Sequence, residues 1–591
     1  MNPMTKGISQ LFSRLQVRPP APGWALGAFS GLLTGLLTGL AFPPAVPGVW
    51  VVALVPLLVV FFHAAPGLAH TGPQKKRAWA AMAGASLAAG VALAMVSGGW
   101  IVNTAEVYGQ LPRPLAWLAA GLGYGLLNGV EFFWFLAPPF WLSRGRSGWL
   151  MALLPLWAAV WQGAGPRYFY WSYGQLMHGV EPLAQGADLA GPAGLNLVYL
   201  PLQLALAWEL TRMARKPSLS PSFPPPRPWL RWGVPLGLLA LALGYGLART
   251  AQLEDQLARQ PGESLRLAAM QPNVEVGALN SNRALAPAAR RVTVARLMEE
   301  SDQALAQAGW LAGERVTPGA PVLVLWPESV YPWPLLAPDF ILPEAHQARL
   351  TVEQWVRRRN LHLVVSTVEF EPTGLGGWQW YGTAIHLGPH HPEPVVYRKR
   401  YLIPFGEYVP LGDWIPGFRR MVMNWIPQIS LFVPGDQPVL FPLENGVTAA
   451  PMICFDAIRP DLARDDVLAG ANLEVLMANL AWFGKTSAPD QFFQYARFRA
   501  VENRVPLVAV GQSGPSMVFS PLGRPLVQGP PWFTNGAMTA VVQVPRLASF
   551  YTRWGTWSAW AMGLALLALM ALARRLPTPQ GHDTSNPTPP V

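Results

Sequence analysis

The sequence predicts a polytopic α-helical membrane domain of eight spans combined with an α/β or α+β sandwich domain. Its 591 residues are 51% hydrophobic and only 13% charged, whereas soluble globular proteins carry about 25% charged residues. That composition excludes a disordered chain and an ordinary cytosolic enzyme of this length. Residues 1–250 hold 16 Lys and Arg against 5 Asp and Glu, and the remaining residues hold 27 of each sign. The net charge of +11 therefore belongs to the first part of the chain alone.

Eight stretches are long and apolar enough to cross a bilayer, whose hydrocarbon core of about 30 Å requires about 20 helical residues. The first is too long for the apolar core of a cleaved signal peptide and is followed at once by further stretches, so we expect it to be a span. Seven of the stretches form a membrane domain at 1–250, and the eighth lies near the C-terminus. The eight stretches fall roughly at 22–43, 47–65, 78–101, 115–142, 148–165, 190–210, 230–249 and 554–573.

The basic residues between these stretches predict the side of the membrane that each loop faces. Thirteen of the 16 cations in residues 1–250 fall in loops that share one side if the spans alternate, and cytoplasmic loops carry an excess of Lys and Arg. Both termini are then cytoplasmic, including a disordered tail at 577–591, and residues 264–546 are extracytoplasmic. A nucleic-acid-binding surface is disfavoured, because the cations form short clusters between apolar helices.

Glu131 lies inside the fourth predicted span. An intramembrane carboxylate is a functional candidate by default, although a polar group buried between helices is an equally good interpretation. Apart from Glu131 the spans contain almost no ionisable residues. A transporter for charged substrates is therefore disfavoured.

Residues 264–546 have the size of a separate domain. Short apolar runs alternate there with amphipathic helical patterns, which indicates an α/β or α+β sandwich. Helices are predicted at Leu285–Gly309, Pro343–Arg358 and Pro489–Asn503. Strands are predicted at Leu265–Met270, Val322–Trp326, Leu361–Thr367, Ala384–Leu387, Thr448–Phe455, Glu474–Ala478, Leu507–Val510 and Ala540–Val544.

Two charged segments of this domain suggest chemistry. In VLVLWPESVYP an apolar strand runs into Glu328, and a carboxylate beside Trp326 can have a raised pKa and serve as a general base. In VVYRKRYLIPFGEYVP, Lys399 follows a short strand and Glu407 lies eight residues further on. A lysine can stabilise an oxyanion as a fixed positive charge. Each has an ordinary alternative, since strand-end glutamates are often caps and Lys399 has basic neighbours.

One further segment contains a candidate nucleophile, and another contains aromatic residues in a loop. In TAAPMICFDAIRPD the single cysteine, Cys454, ends an apolar strand and opens a turn. A helix N-terminus at that turn is expected to lower the thiol pKa and favour nucleophilic attack, although a lone cysteine is more often a small buried hydrophobe. One cysteine also allows no intramolecular disulfide and no Cys-rich metal site. The last segment, ANLAWFGKTSAPDQFFQYARFRAVENRVP, places Trp482 in a loop before a helix, and its alternative is a plain amphipathic helix.

Taken together, Glu328, Lys399 and Cys454 resemble the Glu-Lys-Cys triad of the nitrilase superfamily. Eight spans with a nitrilase-like domain before the last resemble the apolipoprotein N-acyltransferase family. Four motifs are similar to that family's: LAFPP at 40–44, PLAQGADLAGPAGLN at 182–196, YRKRYLIPFGEYVP and AWFG. The resemblance implies a nitrilase-like αββα sandwich in a bacterial inner-membrane enzyme that acts without a metal or organic cofactor.

The resemblance also implies a reaction and residue roles. An acyl chain would pass from a membrane phospholipid, through a Cys454 thioester, to the N-terminal amine of diacylglyceryl-cysteine lipoproteins. Glu328 would be the general base, Lys399 the oxyanion stabiliser and Cys454 the nucleophile. Glu407 would position Lys399 or the substrate amine, and the backbone N–H of Phe455 would be a second oxyanion donor. No motif requires an oligomer, so a monomer is expected.

The chain departs from the family pattern beside the triad. Asp456 stands where the family more often has Glu, and Gly382 where Asn is usual. Ala478 and Leu480 replace polar residues around the Asn of the AWFG segment. These changes are compatible with an altered acyl or acceptor preference, or with reduced activity.

The segment 411–433 predicts an interfacial lid. It follows the lysine motif directly and is rich in large apolar side chains, among them Trp414, Phe418 and Trp425. Such a segment can dip into the outer leaflet and bring lipid to a water-facing site, although a core-packing loop is the alternative. The enzymatic alternative to acyl transfer is a membrane-anchored nitrilase-type amidase that delivers the acyl group to water. A non-enzymatic membrane scaffold is a third possibility.

Overall fold

The computed structural model describes most of the chain. Most of the Pro-rich stretch 217–229, the basic residues Lys6, Arg14 and Arg18, and the tail at 577–591 lie outside the described residues. The described residues are 24–69, 71–107, 109–143, 147–165, 167, 170–214, 227–274, 287–373, 377–425, 429–555 and 557–575.

Helices occupy each of the eight apolar stretches. Among the described residues, three helical segments are long and apolar enough to cross a membrane, namely Val49–Leu68, Pro73–Ser97 and Trp229–Arg259. The helices Ala187–Gly194 and Asn196–Met213, bent by 49° at their junction, add a fourth if they form one span. The helices of this part are α1 Trp24–Ala41, α2 Val55–Ala64, α3 Pro73–Ser97, α4 Gly99–Val107, α5 Arg113–Ala120, α6 Leu126–Leu142, α7 Ser147–Ala164, α8 Glu181–Gln185, α9 Ala187–Gly194, α10 Asn196–Ala214 and α11 Val234–Arg259.

Close contacts through glycine hold several of these helices together. A Cβ atom added at Gly35 of α1 would lie 2.2 Å from the Ala89 carbonyl of α3, and one added at Gly90 would lie 2.1 Å from the Gly125 carbonyl. Small residues at such crossings let helix backbones approach, which is the usual way helices associate in lipid. Glu131 is half-buried here, and its Oε1 has no hydrogen-bond partner among the described residues.

The described residues of the second part form two six-stranded sheets and one two-stranded sheet, β2-β3, so the predicted α/β sheet domain is confirmed. The strand orders of the two larger sheets are β14-β1-β4-β5-β6-β7 and β13-β12-β11-β10-β9-β8. The strands are β1 Glu263–Gln271, β2 Leu311–Ala312, β3 Arg315–Val316, β4 Val322–Trp326, β5 His362–Pro372, β6 Trp378–Leu387, β7 Val395–Arg398, β8 Phe441–Pro442, β9 Thr448–Ile453, β10 Leu473–Ala478, β11 Leu507–Gly511, β12 Met517–Phe519, β13 Pro525–Gln528 and β14 Gly536–Val544.

Side-chain alternation along the strands builds four layers. Leu323 and Leu325 of β4 join the core between the two sheets, whereas Val324 and Trp326 join a second core beneath the outer helices. This period of two is the pattern expected for strands buried on both faces. The remaining helices are α12 Pro287–Gln307, α13 Pro343–Arg359, α14 Phe418–Trp425, α15 Pro460–Leu468, α16 Ala488–Asn503, α17 Phe550–Trp554 and α18 Trp557–Arg575.

A buried ion pair joins the sheet domain to the helical domain. Arg504, which follows α16 and is fully buried, places its Nη2 2.9 Å from Oδ2 of Asp188 on α9. The same oxygen lies 2.8 Å from Arg249 Nε, and Tyr245 donates to the other carboxylate oxygen at 2.6 Å. Removing one partner of a buried pair leaves an uncompensated charge.

We therefore expect Asp188→Ala to destabilise the assembled chain by about 3–5 kcal/mol. Thermal unfolding of the purified protein in detergent measures this loss. The matched control is Asp255→Ala, because Asp255 forms an exposed pair with Arg259 on α11 and such pairs contribute little. Equal unfolding temperatures for both variants would show that the buried pair does not stabilise the domain contact.

Two stacked histidines on adjacent strands predict acid sensitivity. His362 Nδ1 lies 3.0 Å from His386 Nε2, and both rings are buried near His390, His391 and Glu444. Burial, reinforced by the neighbouring histidines, lowers the pKa of His362 to about 4 and that of His386 to about 3. The unfolded chain binds protons near pH 6.5, so the stability that the neutral pair confers is lost as pH falls from about 6.5 toward 4.

The urea midpoint is therefore expected to drop between pH 7.5 and pH 5. His386→Phe should reduce this drop, because Phe can stack on Phe441 without binding a proton. His390→Gln serves as the control, since its side chain is 73% exposed. If His386→Phe and the wild-type chain lose stability in parallel, the drop comes from other groups.

Candidate active site

The first predicted catalytic residue, Glu328, lies just beyond the end of β4 and contacts the other two. Its Oε1 is 3.7 Å from Lys399 Nζ, its Oε2 accepts the Asn479 backbone N–H at 2.8 Å, and it hydrogen-bonds to the Cys454 thiol. Burial raises the pKa of Glu328, Lys399 opposes the rise, and Glu407 adds to it. A carboxylate with a raised pKa next to a thiol is suited to accept its proton.

Lys399 follows β7 and is 1% exposed. Its Nζ donates to Glu407 Oε1 at 2.6 Å, and Glu407 Oε2 in turn accepts the Ile403 backbone N–H at 2.9 Å. Burial acts to lower the pKa of Lys399, but the carboxylates of Glu407 and Glu328 outweigh it and raise that pKa. The site therefore holds a permanent positive charge, and Glu407 fixes where that charge lies.

Cys454 follows β9 and begins a short 3₁₀-helix, Cys454–Ile458. Its φ of 49° is left-handed, a conformation that costs a non-glycine residue roughly 1–2 kcal/mol. Burial raises the thiol pKa well above its ordinary value, Glu328 adds to the rise, and Lys399 opposes it. The expectation that a helix N-terminus lowers this pKa was therefore wrong, because burial beside a carboxylate dominates. The raised pKa favours the protonated thiol, so nucleophilic attack would require a neighbouring base.

Asp456 ties the lysine segment to the cysteine turn. Its Oδ1 accepts the Tyr401 N–H at 2.7 Å, and its Oδ2 accepts the Tyr397 hydroxyl at 2.7 Å and the Ile453 N–H at 2.9 Å. Its carboxylate is fully buried. Asp456, which stands where the family more often has Glu, therefore uses both carboxylate oxygens to hold the Lys399 segment and the Cys454 turn in place.

The other departures are also explained by their surroundings. Ala478 and Leu480 are buried in the apolar core between the sheets and do not line the site. Gly382 lines it, its carbonyl accepts the Lys399 N–H at 2.8 Å, and a Cβ there would meet Phe432 and Lys399 only at ordinary contact distances. Gly382 therefore leaves extra room beside the lysine.

Glu328 and Cys454 line a cavity of about 1680 Å³ that both domains enclose, and Lys399 contacts Glu328 from outside this lining. Cys454, Glu328 and Phe455 line one side, and helical-domain residues such as Leu122 and Leu127 line another. The rim at Trp482 is bound to α4, whose Asn103 and Thr104 both donate to the Trp482 carbonyl, at 3.2 and 3.3 Å. A cavity with this apolar helical wall suits a lipid acyl chain.

The segment predicted as a lid is only partly exposed. Trp414 is 85% exposed and Ile415 46%, whereas Phe418 is half-buried, lines the cavity and packs on a small cluster of Val409, Val422 and Ile429. Trp425 ends α14, and its side chain lies outside the described residues.

Two polar residues of the site, Asn479 and Gln512, are not among those predicted from the sequence. Asn479 follows β10 and lines the cavity, and Gln512 follows β11 and donates to Asn479 Oδ1 at 3.3 Å. Their position just after parallel strands was a usable signal, since the ends of neighbouring parallel strands meet at one edge. Within the described ranges no group of three His, Cys, Asp or Glu side chains could hold a metal ion.

Comparison with known proteins gives matches over both domains. Residues 267–552 match the carbon-nitrogen hydrolase family. The chain is 28% identical to the apolipoprotein N-acyltransferase of Geobacter metallireducens over 77% of this chain and 80% of that protein. It is 28% identical to that of Azotobacter vinelandii over 91% and 92%. Nit3 of Saccharomyces cerevisiae, a nitrilase-superfamily structure, has a TM-score of 0.34 at 15% identity and covers 48% of this chain and 90% of Nit3. The sequence similarity thus extends well beyond residues 267–552, into the helical part.

Proposed function

We infer that this chain is an acyltransferase of the apolipoprotein N-acyltransferase type, built on a carbon-nitrogen hydrolase domain. We propose that it transfers an acyl chain from a membrane phospholipid to the N-terminal amine of a diacylglyceryl-cysteine lipoprotein. One observation carries this proposal: Cys454 and Glu328 line a cavity that helices of the membrane domain help to enclose, and Lys399 Nζ lies 3.7 Å from Glu328. Such a cavity lets lipid reach a nucleophile outside the bilayer.

In the first half-reaction the Cys454 sulfur attacks the ester carbonyl of the phospholipid. Glu328 accepts the thiol proton, and Lys399 Nζ with the Phe455 backbone N–H stabilises the oxyanion. The carbon–oxygen bond then breaks, Glu328 returns the proton to the leaving oxygen, and a lysophospholipid departs. The products of this step are the lysophospholipid and an acyl thioester on Cys454.

In the second half-reaction the lipoprotein amine attacks the thioester carbonyl. Glu328 accepts a proton from the amine, and Lys399 again stabilises the oxyanion. The carbon–sulfur bond breaks, the thiol is regenerated with the proton from Glu328, and an amide remains on the lipoprotein. Each half-reaction balances without a redox partner, so the chain itself supplies all the required groups.

The topology that this function needs is eight spans in a bacterial inner membrane, with the sheet domain on the extracytoplasmic side. The alternate placement of the basic loops supports it, as do helices at all eight apolar stretches. We propose a monomer, since the triad and its cavity are complete within one chain.

The proposed lid makes a testable contribution to lipid capture. Trp414, in the predicted lid segment, is 85% exposed. Burying such a side chain in the outer leaflet is favourable by about 1.5–3 kcal/mol. Trp414→Ala should therefore reduce the initial rate on phospholipid vesicles about tenfold. Trp378→Ala, at a 48% exposed tryptophan outside the cavity lining, is the control. Equal vesicle rates for both variants would remove the lid role.

The decisive experiment traps the thioester. The purified chain is incubated with acyl-labelled phospholipid and treated with hydroxylamine, which releases acyl groups from thioesters. A labile label that moves to a diacylglyceryl-cysteine peptide supports the acyltransferase. A label that is released only to water identifies a membrane-anchored amidase instead, and no label on the wild-type chain would overturn both.

A further inference from the structure

The side-chain amide of Asn479 is held in one orientation by Gln512, which is itself oriented by the backbone of Val274. The Val274 N–H donates to Gln512 Oε1 at 2.9 Å, and Gln512 Nε2 donates to the Val274 carbonyl at 2.9 Å. These two bonds identify the nitrogen of Gln512, because an N–H needs an acceptor and a carbonyl needs a donor. Gln512 Nε2 also donates to Asn479 Oδ1 at 3.3 Å. The acceptor end of Asn479 is therefore committed, and its Nδ2 group remains as a donor.

That donor is buried and unsatisfied. Asn479 is 1% exposed, and its Nδ2 has no hydrogen-bond partner among the residues that the structure describes. Buried polar groups in folded proteins nearly always have a partner. Asn479 lines the same cavity as Cys454 and Glu328, so a bound substrate is the natural source of the missing acceptor.

The position of Asn479 also limits which substrate atom can be that acceptor. Its backbone N–H binds Glu328 Oε2 at 2.8 Å, so Asn479 directly contacts the base that exchanges protons with the leaving oxygen and the incoming amine. An ester oxygen has lone pairs to accept a hydrogen bond. The attacking amine must keep its lone pair for the carbonyl carbon, and a donor there would oppose attack.

We propose that Asn479 Nδ2 donates a hydrogen bond to the ester oxygen of the acyl donor that becomes the leaving group. This assignment rests on the proposed acyl transfer. As the sulfur–carbon bond forms and the carbon–oxygen bond breaks, the electron pair moves to that oxygen, and Glu328 delivers the proton taken from Cys454. Asn479 stabilises the charge that develops before the proton arrives. It therefore accelerates thioester formation and leaves aminolysis of the thioester unaffected.

Asn479→Leu tests this assignment, because leucine has a similar shape and no donor. Single-turnover thioester formation from labelled dipalmitoyl phosphatidylethanolamine should slow about 100-fold. The thioester accumulated over a long incubation should then transfer to a diacylglyceryl-cysteine peptide at the wild-type rate. Asn479→Asp replaces the donor with an acceptor at the same size, and it provides the same comparison if the leucine variant fails to fold.

Asn472→Leu is the matched control, since Asn472 precedes the other end of β10, is buried and lies outside the cavity lining. Its amide binds the Thr448 N–H and the Gly446 carbonyl, so this variant should not slow thioester formation selectively. Equal slowing of both half-reactions in the Asn479 variants, or no slowing, would overturn the assignment. Failure of the wild-type chain to form any thioester would instead overturn the proposed function on which it rests.

Discussion

Cys454→Ala is expected to abolish both the hydroxylamine-labile label and the transfer of acyl groups to a lipopeptide, with a loss of at least about 10⁴-fold. Removing the nucleophile eliminates the covalent route, and the Lys399 charge alone cannot replace a sulfur–carbon bond. The change is small, because the Cys454 side chain is already confined between Glu328 and the core of the two sheets. Labelled phospholipid, a fluorescent acceptor peptide and quantification of both products measure the loss.

Two further measurements show why the label is lost in Cys454→Ala. The unfolding temperature of Cys454→Ala should stay close to that of the wild-type chain, which separates lost chemistry from lost structure. Cys454→Ser keeps a nucleophilic atom in the same left-handed turn, and any acyl group it retains should be an oxygen ester that hydroxylamine releases more slowly. A labile label that persists in Cys454→Ala places the nucleophile on another residue.

Lys399→Met is expected to slow thioester formation by at least about 10²–10³-fold, the range for loss of one oxyanion-stabilising group. Methionine has a comparable length and lacks the charge. The substitution removes the cation between two carboxylates, since Lys399 Nζ lies 2.6 Å from that of Glu407 and 3.7 Å from that of Glu328. Stopped-flow or quenched-flow measurement of the first half-reaction gives the rate directly.

The pH profile distinguishes this electrostatic role from a merely structural one. In the proposed mechanism thiol activation needs ionised Glu328, so the rate should rise with pH through the raised pKa of that carboxyl group, and Lys399 holds this pKa down. In Lys399→Met the rising limb should therefore shift to higher pH. Arg398→Met is the control, because Arg398 is partly exposed and pairs with Glu371. An unshifted limb in Lys399→Met would contradict the proposed coupling between the lysine and the base.

Much of the site could be predicted because its residues stand where apolar strands end. The runs predicted at Val322–Trp326 and Thr448–Phe455 are buried strands in the structure, although the second ends at Ile453. The side chains just beyond such strand ends meet at one edge of the sheets. Helix patterns were equally reliable, since the helix predicted at Pro343–Arg358 extends by only one residue in the structure. Local periodicity and turn chemistry are enough for these features.

The thiol pKa, the roles of Asn479 and Gln512 and the stacking of His362 on His386 could not be predicted in this way. Each depends on residues distant in sequence: Asn479 is 151 positions from Glu328 and 33 from Gln512. The prediction for Cys454 failed because a local argument includes the helix N-terminus and omits the desolvation that the second sheet imposes.

Composition and periodicity alone show an apolar part with an excess of cations and a charge-balanced part, and they place Glu328, Lys399 and Cys454 at strand ends of the latter. Both are properties of short stretches, so they can be identified without knowledge of the fold. The packing of the folded chain is needed to show that helices of the first part help to enclose the cavity of the second, and that Arg504 pairs with Asp188 across their contact. Burial and electrostatics act through space, and no local pattern encodes which distant groups will share a low-dielectric site.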